Sequence, residues 1–276
     1  MTLSVPRATL LGLALLAIPL VAAAQVKNLL EAPSVEGKDV MWVPTPDVAV
    51  ERMLAMARVG PRDLVVDLGS GDGRIPIIAA KRFGARGLGI EYSADLVAKS
   101  RRSAALEGVA ERVQFIQADL FEADFRTATV VTLYLLTSLN LKLRPKILDM
   151  RPGTRVVSHV FRMGDWEPDD VAKVGSSDLY LWIVPAKVAG RWRVTAGADQ
   201  SFELVLEQRH QRVAGNVTAE GLTLPLDAAR VSGDAVRFSF SDARGVRQSL
   251  TGRVADDRME GSDGGWRATR LKPGAR

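Results

Sequence analysis

Hydrophobic positions fall into three regimes along this chain. From Leu10 to Val21 they are nearly continuous, broken by Pro19. Between Leu64 and Ser158, short and wholly apolar runs alternate with stretches of helical spacing. Beyond about residue 197 they alternate with polar residues, between turns rich in Gly, Asp and Asn.

The middle regime predicts strands at Leu64–Leu68, Gly87–Glu91, Val113–Gln117, Val130–Leu135 and Thr154–Ser158. Helices are predicted between them. Pro44 and Pro46 keep Val43–Thr45 extended, and Asp47 caps a first helix with Val48, Met53, Leu54, Met56 and Ala57 inward, ended by Gly60-Pro61. A second runs from Ile75 to Phe83. A third is capped by Ser93 and stopped by Gly108. A fourth covers Leu139–Met150, with a break expected at Pro145. Continuous apolar strands separated by helices imply a parallel sheet covered on both faces, hence an α/β class. Leu179–Val184 and Arg191–Thr195 read as a hairpin joined by PAKVAG. FELVLEQ, RVAGNVTAE, AVRFSFSD, RQSLTGRVA and GWRATR read as short strands of a small antiparallel β domain over 197–276, in the manner of a partly closed barrel.

The first apolar run changes the picture of where the chain goes. Arg7 precedes it and Ala22-Ala23-Ala24 closes it before Gln25, the three-part form of a secretory signal peptide over residues 1–24. It is short for a membrane span of about 20 residues. The expectation is an exported chain, periplasmic or secreted, beginning near Gln25. The alternative is an uncleaved anchor, with the membrane touched only through that segment. Residues 25–60 are then expected to form an amino-terminal segment and helix that cover the ligand site of the sheet.

Composition removes several chemistries. The 276 residues contain no cysteine, which excludes disulfides, thiolate metal sites and a cysteine nucleophile. His159 and His210 are the only histidines and lie far apart, without metal-ligand spacing, so no metal is expected. The net charge of +5 is scattered, with no stripe of basic and aromatic residues, and no nucleic-acid partner is expected.

The densest chemistry lies in VVDLGSGDGR, residues 65–74, a strand running into a glycine turn and then a helix. Ligands of open parallel sheets bind beyond the carboxyl ends of the strands. Glycines there let backbone N–H groups face a ligand with no Cβ in the way. A dinucleotide fold asks for G-x-G-x-x-G, whereas Gly69, Gly71 and Gly73 give G-x-G-x-G and Arg74 takes the third glycine's place. Asp67 and Asp72 make the turn acidic, a poor neighbour for pyrophosphate and a good one for a cation. The sulfonium and amino group of S-adenosylmethionine are cationic. Glu91 ends the second strand, where a carboxylate can accept from both hydroxyls of a ribose. Asp119, in FIQADLF, can accept from an adenine amino group while Ala118, Leu120 and Phe121 meet the ring. A nicotinamide-dependent oxidoreductase is the weaker reading of the same turn.

On these residues, 41–196 resemble a class I, seven-strand S-adenosylmethionine-dependent methyltransferase. VVDLGSGDGR is similar to its glycine motif, GIEYS to its acidic second-strand motif and QADLF to its adenine motif. WVPTP, DLGSGDGRIPIIAAKRFGARGLGIEY and LRPGTRVVSH resemble more closely the protein-lysine methyltransferases of the mitochondrial ATP-synthase c-subunit and ADP/ATP-carrier type. They are more distantly similar to histone lysine methyltransferases of the disruptor-of-silencing type. The resemblance implies a Rossmann-like, seven-stranded, mostly parallel sheet within a methyltransferase domain over 61–196. It implies cofactor contacts at Asp67, Gly69, Ser70, Gly71, Asp72, Gly73, Glu91, Tyr92, Asp119 and Leu120. It also implies a proline segment, at Trp42, Pro44 and Thr45, closing over the methionine end of the cofactor.

The acceptor side departs from many amine methyltransferases. After the fourth strand the chain reads TLYLLTSLN, with no acid where a general base would stand. Thr132 and Tyr134 are the polar groups near that strand's end, and Tyr134 can orient a substrate amine or simply pack. His159 ends the fifth strand and borders the same region. The expected activity is methyl transfer from S-adenosylmethionine to an amine, such as a protein lysine or a small amine. A non-catalytic S-adenosylmethionine-binding or interaction module, exported from the cytoplasm, is the alternative.

Overall fold

The computed structural model describes residues 43–197, 200–242 and 244–272. The segment expected to be a signal peptide and Trp42 lie outside the described residues. Among the described residues, no helix is long and apolar enough to cross a membrane.

Helix α1 spans Asp47–Met56, β1 Leu64–Leu68, α2 Arg74–Phe83, β2 Arg86–Glu91, α3 Ala94–Leu106 and β3 Val113–Gln117. Strand β4 spans Val130–Leu133, α4 Thr137–Leu148, β5 Arg155–His159, β6 Asp170–Val174 and β7 Ser177–Ile183. These strands form one seven-stranded sheet in the order β3-β2-β1-β4-β5-β7-β6. The first five are mutually parallel, and β7 runs antiparallel to both β5 and β6.

Alternation within the strands sorts side chains onto two faces. Val65, Val130, Val157, Leu179 and Leu181 join α1 and the start of α2 in one buried cluster. Val66, Val131, Val156, Tyr180 and Trp182 join Leu143 and Ile147 of α4 in another. Both faces of the central strands β1, β4 and β5 are thus buried, as their continuous apolar runs require.

Three local expectations are corrected. The first helix is not capped by the Asp47 side chain: Pro46 precedes its first turn, and the Asp47 carboxylate instead lies against Arg74. Val48 is exposed while Ala49 and Val50 face the core, because the helix begins at Asp47 and its inner stripe runs through Val50, Met53, Leu54 and Ala57. Pro145 does not break α4, which runs unbroken from Thr137 to Leu148. Buried Asn140, Leu143 and Ile147 hold the helix on either side of the lost hydrogen bond, and the residue whose carbonyl loses it, Leu141, is exposed.

The hairpin expected across PAKVAG does not form. Strand β7 pairs with β5 and β6, whereas β8, Gly190–Ala196, belongs to a second sheet and pairs with strands later in the chain. The sequence shows two strand-like runs around a loop, and their pairing is decided by which hydrophobic face each must cover. The second sheet continues with β9 Gln200–Arg209, β10 Arg212–Ala219, β11 Leu222–Pro225, β12 Ala228–Ser232 and β13 Ala235–Ser241. It ends with β14 Arg247–Ala255, β15 Arg258–Gly261 and β16 Trp266–Arg270. Neighbouring strands are antiparallel throughout. Strand β16 returns to β8, and β10 joins β9 on one side and β12 on the other, so the ring closes and β11 remains a side arm on β10. Closure leaves no long unpaired edge. Trp192, Leu204, Phe238 and Met259 are fully buried within the ring.

The two sheets meet along the connection between β5 and β6. Trp166 is fully buried there, its ring 6.1 Å from Trp182 of the first sheet and 5.8 Å from His210 of the second. Around it, Asp165 pairs with Arg144 and Arg209, Glu167 with Arg212, and Asp169 with Arg230.

Candidate active site

Strand β1 delivers Asp67 to the rim of the first sheet, and the chain then turns through Gly69, Gly71 and Gly73 at φ of +77°, +54° and +80°. These values fall in the region that side-chain-bearing residues avoid. The turn is also packed from behind. A Cβ on Gly73 would lie 2.6 Å from the Phe115 ring and 2.8 Å from Ser100 Cβ. The buried Ser100 hydroxyl lies 2.9 Å from the Gly71 carbonyl oxygen, fixing the turn to α3.

The backbone donors of this turn are already engaged. Gly69 and Ser70 both donate to the Ile90 carbonyl, Gly71 donates to Glu91 Oε2 at 2.9 Å, and Gly73 donates to the Ser70 carbonyl. A phosphate cradle needs such N–H groups pointing outward. The expectation of N–H groups facing the ligand is therefore corrected at these positions, and the acidic character of the turn matters more. Asp67 is 3% exposed, accepts from Thr132 Oγ1 at 2.7 Å, and has its pKa pushed up to about 7. Burial is the main cause; the Thr132 hydroxyl opposes it, and the charges of Glu91 and Asp72 add to it.

Asp72 is placed differently from a carboxylate waiting for a cation. Its Oδ1 accepts from Arg74 Nε at 3.0 Å and its Oδ2 from Nη2 at 2.8 Å. Burial alone would raise this carboxyl, but the guanidinium overrides it and holds the group below the usual carboxylate range. Arg74 Nη1 also donates to the Thr45 carbonyl at 3.0 Å and approaches Asp47 Oδ1 at 3.4 Å. Arg74 is the residue whose role sequence reasoning missed. Along the chain it only displaces a glycine, whereas in the fold its fork ties the glycine turn to the proline segment. The spacing Asp72-x-Arg74 carries that signal. Thr45 is buried, and Pro44 beside it is exposed.

Glu91 ends β2 and accepts from Gly71 N–H on one oxygen and Ser93 N–H on the other, both at 2.9 Å. Each oxygen keeps a further lone pair, enough for a diol. Tyr92 follows it and is exposed. Asp119 accepts from Phe121 N–H at 2.8 Å in a tight local turn, and Leu120 and Phe121 pack against the core. The Ser70 hydroxyl is buried with no partner in the structure. An acidic rim, spent backbone donors, a diol-ready Glu91 and an orphaned hydroxyl fit a cationic nucleoside such as S-adenosylmethionine.

The residues expected on the acceptor side follow β4 and end β5. Strand β4 ends at Leu133, two residues short of the expected end, and Tyr134–Leu136 continue without strand pairing into α4. Leu135 lies against the glycine turn: a Cβ on Gly69 would be 3.0 Å from its Cδ2. The half-buried Tyr134 ring is 4.2 Å from the His159 ring and 5.9 Å from that of Phe161. His159 is buried, and burial alone pulls its imidazole down to about 4. Burial likewise raises the Tyr134 phenol. The sequence offers Tyr134 and His159 separately; Phe161 is missed, because its place depends on the turn after β5.

Comparison with known proteins bears on this arrangement. Residues 67–170 match the family model described as the ANTKMT methyltransferase domain. A protein-lysine N-methyltransferase of Saccharolobus islandicus is 41% identical over 151 residues, spanning 52% of this chain and 94% of the relative. The human lysine N-methyltransferase of the ATP-synthase c-subunit is 31% identical over 164 residues, spanning 59% of this chain and 70% of the relative. Among solved structures, one described as an RNA methyltransferase of Salinibacter ruber, bound to S-adenosyl-L-homocysteine, is similar at 54% identity with a TM-score of 0.52. It covers 53% of this chain and 96% of its own. Nothing in these relatives favours a non-catalytic module.

Proposed function

The chain belongs to the class I S-adenosylmethionine-dependent methyltransferases, and from that premise we propose that it methylates the side-chain amine of a protein lysine. S-adenosylmethionine supplies a methyl group activated on a sulfonium. The chain's own residues bind and position. Asp67 offers a carboxylate to the cationic end, Glu91 offers lone pairs to the ribose, and the Arg74 fork holds the proline segment over the turn.

The observation that carries the lysine reading is the aromatic cluster of Tyr134, His159 and Phe161 at or just past the ends of β4 and β5, next along the chain to Leu135, which lies against the glycine turn. The residues that directly follow β4 and β5 along the chain, Tyr134–Asn140 and Val160–Gly164, contain no carboxylate of their own. Apolar rings suit an unbranched alkyl chain, and desolvating its terminal nitrogen favours the neutral amine that attacks. With the pair held in line, much of the rate comes from positioning. The names of the archaeal and human relatives support the same reading, while that of the Salinibacter protein points to RNA. The scattered charge of this chain favours protein.

The test is to incubate the full chain with methyl-labelled S-adenosylmethionine and a lysate of its host, then hydrolyse protein and RNA separately. Methyl-lysine in the protein fraction is the expected outcome. Label confined to nucleosides overturns the reading, and label on a free amine redirects it to a small molecule. The amino-terminal segment further supports export, with cleavage after Ala24 or retention as an anchor. Sequencing the amino terminus of the protein made in its host tests this: Gln25 as first residue supports cleavage, and an intact Met1 overturns it.

A further inference from the structure

His159 is 3% exposed, and neither of its ring nitrogens has a hydrogen-bond partner in the structure. Buried polar atoms are usually satisfied, and leaving one unpaired is costly. The backbone is strained at the same place. Val160, a β-branched residue, sits at φ +67°, a region such residues rarely enter. Phe161 N–H donates back to the His159 carbonyl at 2.8 Å, closing a three-residue turn around Val160. The positive-φ form of that turn is the rare and strained one. Two further bonds enforce it: Val160 N–H to the Asp178 carbonyl at 2.8 Å, and the Ser158 hydroxyl to the Phe161 carbonyl at 2.7 Å. The turn brings both the His159 and Phe161 rings against Tyr134. Strain persists where the surroundings over-determine it, and such places cluster at active sites.

We propose that a ring nitrogen of His159 is the hydrogen-bond acceptor for the N–H of the methyl-accepting amine, with Tyr134 and Phe161 as aromatic walls around its alkyl stem. This rests on the lysine reading above. Burial keeps the imidazole neutral, so its lone pair is available across the neutral range. A carboxylate in this place would stabilise the ammonium, whose nitrogen has no lone pair to give; a neutral imidazole holds the nitrogen with far less of that bias. With one N–H held, the amine lone pair forms the new N–C bond as the C–S bond breaks. The electron pair of that bond leaves on sulfur, and the methylated ammonium releases its proton to solvent.

The chain has two histidines, His159 and His210, so a His210→Gln variant assigns their ring nitrogens by nitrogen-15 NMR. The full chain, saturated with S-adenosylhomocysteine, is titrated with n-butylamine as a lysine side-chain probe. The expected result is a saturable shift of one His159 ring nitrogen while His210 stays fixed. Saturable movement of the Tyr134 ring protons with both His159 nitrogens unmoved overturns the His159 role and leaves the amine reading standing. No saturable movement of either overturns both. In methyl-transfer assays on the acceptor identified above, His159→Leu is expected to lower kcat/KM about tenfold, the effect of one lost hydrogen bond. S-adenosylmethionine affinity should be unchanged, and His159→Gln should recover much of the loss. Full activity in His159→Leu overturns the proposal.

Discussion

Thr132 donates its hydroxyl to Asp67 Oδ1 at 2.7 Å across two adjacent parallel strands, and both side chains are buried. This bond only partly offsets the burial that raises the Asp67 pKa to about 7. Near neutrality a substantial fraction of the carboxyl is therefore protonated before a cation arrives. A cationic ligand favours the carboxylate, so its binding expels a proton. S-adenosylmethionine affinity is expected to rise with pH from about 6 to 8 and then level off. Calorimetry in buffers of different ionisation enthalpy reads the released proton directly. In Asp67→Asn, affinity should be lower and its pH dependence flat.

Asp67 and His159 also oppose each other in stability. Asp67 keeps its proton when folded up to about pH 7 and loses it near 3.8 when unfolded, so it destabilises the fold as pH rises through that window. His159 is neutral when folded down to about pH 4 but protonates near 6.5 when unfolded, so it destabilises the fold as pH falls through that window. Between about pH 4 and 6.5 the two slopes nearly cancel. Denaturant unfolding of Asp67→Asn should uncover a rise of about 3 kcal/mol with pH across that range. His159→Leu should uncover a fall of similar size.

The Arg74 fork predicts a coupling between the glycine turn and the proline segment. Arg74→Ala frees the Thr45 carbonyl and strips Asp72 of the guanidinium that binds both its oxygens. S-adenosylmethionine affinity is expected to drop about tenfold, with hydrogen exchange quickening at Ala49 and Val50, whose N–H groups bond the Pro46 carbonyl. Arg74→Lys should recover little, since an ammonium cannot serve two carboxylate oxygens and a carbonyl in one plane.

At the junction of the two sheets, packing should outweigh charge. Trp166 is fully buried, whereas Arg209 against Asp165 and Arg212 against Glu167 are largely exposed. Trp166→Ala is expected to cost about 3–5 kcal/mol. Arg209→Ala or Arg212→Ala should each cost less than about 1 kcal/mol. Thermal unfolding of the three variants distinguishes them.

Much of the first sheet was written in local pattern. Strands β1, β4 and β5 announce themselves because burial on both faces demands nearly unbroken apolar runs, and edge strand β3 does so by alternating buried and exposed positions. The Asp67 to Gly73 turn does so because positive φ and close packing demand glycine. Asp67, Glu91 and Asp119 could be placed from sequence since each sits at or just beyond the carboxyl end of a strand. Chain-distant pairing was not legible. Strand β7 pairs with β5 and β6 rather than with β8, and β8 closes a ring with β16, because hydrogen-bond partners in a sheet are chosen by the faces that need covering. Likewise the sequence supplied Arg74, His159 and Phe161 as residue types, but only tertiary structure gave them partners. A guanidinium finds the Thr45 carbonyl, and a strained turn at Val160 sets two rings against Tyr134, through contacts that no local periodicity encodes.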